Sequence, residues 1–98
     1  MNAPIPELVN EHPVSYRLPD GRILSAPQPR PHDLLQIRSW VHWDGRPRQI
    51  GDLRQRIGGG RLVHLAGLPP EVISLSKSDS IDVFKESDAP LPRATDNA

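Results

Sequence analysis

The chain has 98 residues, no cysteine, four aromatic side chains and equal numbers of acidic and basic groups, twelve of each. This excludes a disulfide scaffold and any thiolate metal site, and it leaves one small domain with a thin core. No apolar run reaches membrane-spanning length, and the first residues lack a basic and an apolar leader pattern, so a cytoplasmic protein without membrane contact is expected.

Residues 1–12 (MNAPIPELVNEH) are polar and broken by proline. They read as a flexible arm, or as an edge segment that docks late. Val14 to Tyr16 and Arg22 to Leu24 flank Leu18-Pro19-Asp20-Gly21, in which proline presets φ, aspartate bonds nearby backbone and glycine accepts positive φ. A β-hairpin over Val14–Ser25 follows. Ala26–Pro31 is an extended connector. Leu34, Leu35, Ile37, Trp40 and Val41 recur at helical spacing after Asp33 and predict a helix that Asp44-Gly45 ends. A second helix is expected over Gln49–Ile57, with Ile50, Leu53 and Ile57 on one face.

Gly58-Gly59-Gly60 reads as a hinge rather than a phosphate loop, because no lysine and hydroxyl follow it. Beyond it, Leu62–Phe84 (LVHLAGLPPEVISLSKSDSIDVF) divides into three short helices. Gly67 ends the first, Pro69 and Pro70 open the second, and Ser76 with Asp79 forms the capping relation of the third. The tail from Ser87 onward lacks periodicity and reads as disordered. The fold class expected is α+β: a short N-terminal β-hairpin packed on four or five short α-helices, one domain over residues 13–86, with residues 1–12 and 87–98 outside it.

No residue pattern announces an enzyme. Histidines 12, 32, 42 and 64 stand in no metal-ligand spacing, and no acid–base pair or nucleophile elbow is present, so no catalytic residue, metal or cofactor is assigned. Charge is unevenly placed. Between Arg30 and His64 seven arginines face three aspartates, whereas from Leu65 onward six carboxylates face three cations. Arg46, Arg48, Arg54, Arg56 and Arg61 are therefore candidate contacts for an anionic partner, with a solvated or self-complementary surface as the plainer reading. Trp40 and Trp43 either both fill the core or divide between core and interface.

Taken together, VSYRLPDGRIL, PQPRPHDLLQI (Arg30, Pro31, Asp33, Leu34) and LVHLAGLPPEVISLSKSDSIDVF (Gly67, Leu68, Pro70, Val72, Leu75, Asp79, Phe84) resemble the small Mu-like tail assembly chaperones of long-tailed bacteriophages. The arginine-rich middle and the triple glycine depart from that family's pattern. The resemblance implies a non-enzymatic role in virion morphogenesis inside the host cell, coating the tape measure protein before tail tube subunits polymerise. A helix of that client would lie in a groove between helices, helped by self-association. Trp40, Trp43, Leu65, Leu68, Val72, Ile73, Leu75 and Phe84 are the expected partner-binding residues. The alternative is a small phage or plasmid regulator that binds nucleic acid or a host protein through the arginine segment.

Overall fold

Period-two alternation, not helical periodicity, governs this chain. Val63 and Leu65 are buried while His64 between them is half-exposed, and Ile73 and Leu75 are buried between exposed Val72 and Ser74. That is the pattern of strands with one face on a core. The computed structural model describes residues 4–88. They form eight strands: β1 (Glu7–Glu11), β2 (Val14–Arg17), β3 (Ile23–Pro31), β4 (Trp40–Trp43), β5 (Arg46–Gln55), β6 (Arg61–Leu65), β7 (Glu71–Leu75) and β8 (Ser80–Ser87). The only helical element among the described residues is a single 3-10 turn, His32–Leu34.

The α+β expectation is thereby corrected to an antiparallel sheet of order β1-β2-β3-β8-β4-β5-β6-β7, curled into a half-barrel. Each expected helix is replaced by an identifiable element. Leu34–Val41 becomes a 3-10 turn running into β4, Gln49–Ile57 the second half of β5, and the three helices of Leu62–Phe84 become β6, β7 and β8. The Val14–Ser25 hairpin does form, with Ser15 opposite Ser25 and Arg17 opposite Ile23, but it lies beside strands. Leu8 pairs with Tyr16, so part of the arm is an edge strand. The expected disordered tail from residue 89 onward lies outside the described residues.

Local chemistry explains the turns. Asp44 and Gly45 take φ of 54° and 76°, the left-handed pair of a two-residue hairpin turn that joins Trp43 to its partner Arg46. The serine–aspartate capping relation exists, with the Ser76 N–H donating to the Asp79 carboxylate at 2.8 Å, but it closes the β7–β8 turn. Prolines 27, 29 and 31 recur with period two along β3, so their missing N–H groups all fall on one side of the strand. This stretch pairs only with β8, through Gln28 to Pro31, beyond the point where β2 ends.

Two meanders, β1–β3 and β4–β7, are joined by β8, which pairs with β3 on one side and β4 on the other. Because side chains alternate faces, β4 and β8 each serve two cores. Val41 and Ile81 enter a larger core with Leu35, Ile50, Val63, Leu65, Ile73 and Leu75. Their neighbours Trp40 and Phe84 enter a smaller core with Leu18 and Leu24 on the opposite face. Among the described residues, twelve buried apolar side chains divided in this way make each core dependent on the central strands.

Candidate functional site

Arg48 is the one buried charged side chain among the described residues, 4 % exposed. One nitrogen of its guanidinium donates to the Glu71 carboxylate at 2.6 Å, and another donates to the Pro69 carbonyl at 2.6 Å and the Ala66 carbonyl at 3.3 Å. A planar fork with several donors suits this task, since one side chain satisfies a carboxylate and two backbone oxygens together. The Ala66 N–H is held in turn by the Gln49 carbonyl at 2.8 Å. These bonds fix the β6–β7 loop against β5. Leu68, 71 % exposed, therefore projects from a pinned loop.

Beside that loop lies a cleft of about 380 Å³. The N-terminal segment Pro4–Pro6, Leu8 of β1, Tyr16, Trp40, Pro47 and the loop residues Ala66, Gly67 and Leu68 line it. Leu8 stands opposite Tyr16 in the β1–β2 ladder, which carries Leu8 onto the same face as Tyr16. The Tyr16 ring meets Phe84 edge to face, with centroids 5.8 Å apart, and this contact anchors it to the smaller core. Arg46, Arg48 and Gln49 supply the polar part of the lining. The lining is mostly apolar, and Ile5, Leu8 and Leu68 within it are 85 %, 48 % and 71 % exposed.

The structure scatters the residues expected at a partner surface. Leu65, Ile73, Leu75 and Phe84 are core. Trp43 packs half-buried against the larger core, and Val72 is exposed on the outward face of β7. Only Trp40, buried, and Leu68, exposed, line the cleft. Tyr16 and Pro47 were missed, as were Ile5 and Leu8. The signal for the last two was present in Pro4-Ile5-Pro6-x-Leu8, where large apolar residues sit in a segment too broken to bury them.

The arginines are dispersed as well. Arg48 is the internal clamp, and Arg54 donates to Asp52 at 2.6 Å. Arg56 bonds the Ser74 hydroxyl at 2.7 Å and the Gly59 carbonyl at 3.0 Å, while Arg61 reaches the Leu35 carbonyl at 3.5 Å. Of the five, Arg46 alone makes no hydrogen bond or ion pair among the described residues. Nor, among the described residues, does any group of three or more histidine or carboxylate side chains converge as metal ligands. No protein-family model, curated protein or solved structure matches the chain. The family resemblance drawn from the motifs presupposes helices that the described residues do not contain.

Proposed function

We propose that this is a non-enzymatic, cytoplasmic protein-binding module whose cleft takes an apolar segment of a partner polypeptide. The observation that carries the reading is the cleft itself: a mostly apolar lining in which three large side chains stay exposed around a pinned loop. With no inter-helical groove among the described residues, a tail-assembly chaperone role has no support in the fold. A polypeptide suits the site better than nucleic acid, because four of the five middle arginines are occupied by the protein's own acceptors.

Peptides selected from a random library on the immobilised protein test this. Leu68→Glu and Ile5→Glu are each expected to weaken the selected peptides at least about tenfold by placing a charge in apolar contact. Val72→Glu, on the outward face of β7, is expected to leave binding unchanged. Equal binding by all three variants, or no selected peptide, would overturn the proposal. Self-association that is lost only in Leu68→Glu would assign the cleft to a second copy instead.

A further inference from the structure

One charged group lining the cleft is a donor without a counterpart among the described residues. Arg46 has no hydrogen bond or ion pair among the described residues, and Asp44, two residues earlier in the hairpin turn, makes none with it. The Trp40 indole N–H has no acceptor among the described residues, but its nitrogen is buried and is not presented to the cleft. The other cation in the lining, Arg48, is engaged by Glu71, Ala66 and Pro69. Among the described residues, no aspartate or glutamate lines the cleft. Its charge is therefore one-sided: beside the neutral Gln49 amide, Arg46 stands without a counter-charge among the described residues, set among leucine, isoleucine and proline.

We infer that the preferred ligand is a segment in which an apolar side chain is accompanied by an aspartate or glutamate, whose carboxylate meets Arg46. This inference rests on the cleft being a peptide site. Apolar contact area supplies the larger part of the affinity, and the carboxylate sets orientation and selects among apolar segments. An acidic side chain fits better than a chain terminus. Ile5 and Leu68 both line the cleft while mostly exposed, so the site is an open trough through which a chain can continue.

The test is amide chemical-shift titration of the whole 15N-labelled protein with three acetylated tetrapeptides: Leu-Leu-Asp-Leu amide, Leu-Leu-Asn-Leu amide, and Leu-Leu-Asn-Leu free acid. The aspartate peptide is expected to bind about tenfold more tightly than either asparagine peptide, the effect of one charge-assisted hydrogen bond at a half-open site. All three should shift the Trp40 indole and Leu68 amide signals. In Arg46→Gln the preference is expected to shrink below about twofold with the remaining spectrum unchanged, and in Arg46→Glu a lysine peptide should replace aspartate as the favoured ligand. Equal affinities for the aspartate and asparagine amides, with shifts still confined to the cleft, would overturn this inference and leave the peptide-site reading standing. Tightest binding by the free acid would overturn it in favour of a chain end. No shifts at the cleft with any peptide would remove both readings.

Discussion

Arg48 shows how much a single side chain can carry in a domain of this size. Replacing it with methionine leaves the Glu71 carboxylate and two loop carbonyls without their donor, and is expected to cost about 3 kcal/mol in urea unfolding. Arg48→Lys should recover less than half of that, because a point charge reaches Glu71 but cannot bridge Ala66 and Pro69 as well. Acid should act through different residues. The Asp20 carboxyl is held below its usual value of 3.8 chiefly by the Arg22 N–H, that of Asp52 by the Arg54 side chain, and that of Asp79 by the Ser76 N–H. Groups depressed in the folded state stabilise it above their unfolded value and lose that effect as pH falls through the folded one. The urea midpoint is therefore expected to fall below about pH 4, and less steeply in Asp79→Asn. Of these pairings, the capping relation of Ser76 with Asp79 and the bonding of Asp20 to nearby backbone were legible in the sequence, and the rest were not. Charge counts placed Arg48 on a surface because a partner 23 residues away leaves no local mark.

Among the elements, turn chemistry was the most legible feature and also the most ambiguous. Asp44-Gly45 marks a hairpin when period-two segments flank it, and a helix end when period-3.6 segments do. The few apolar residues around it, Trp40, Val41 and Trp43 before and Ile50 and Leu53 after, satisfy both templates. Proline-aspartate-glycine, flanked by valine, tyrosine, isoleucine and leucine, had only one reading, and there the hairpin formed. The triple glycine proved to be a tight loop between β5 and β6. A Cβ on Gly60, which sits at φ 87°, would collide with the Leu75 carbonyl oxygen. Gly60→Ala is expected to cost about 3 kcal/mol or more, since steric overlap adds to backbone strain. Gly45→Ala has open space at φ 76° and should cost about 1 kcal/mol, the strain alone. Urea titration of the two variants side by side separates the two contributions.

At the scale of the whole molecule, two cores on opposite faces share β4 and β8, so neither is complete without the same central strands. A single cooperative transition is expected in spite of the divided core. Trp43 reports on the larger core and Trp40 on the smaller. In Trp40→Phe and Trp43→Phe variants, fluorescence and far-UV circular dichroism should therefore unfold together within each protein, and separated midpoints would show independent halves. Most of the core residues were legible as apolar positions, but their assignment to two faces was not. That assignment depends on β8 entering between meanders that precede it in sequence, and pairing over such separations is invisible to local periodicity. The cleft was legible only in part for the same reason, since it gathers residues from the first strand, the β4–β5 hairpin and the β6–β7 loop.

The late insertion of β8 also sets an order of events during translation. Both meanders leave the ribosome before the strand that separates them, so for that interval β3 and β4 each present a bare edge. The prolines of β3 blunt its edge, but Trp40-Val41-His42-Trp43 carries no proline and no fixed charge. A nascent chain is thus most exposed to mispairing with its neighbours at β4, and the yield of native protein depends on how soon Ser80–Ser87 arrives to cover it.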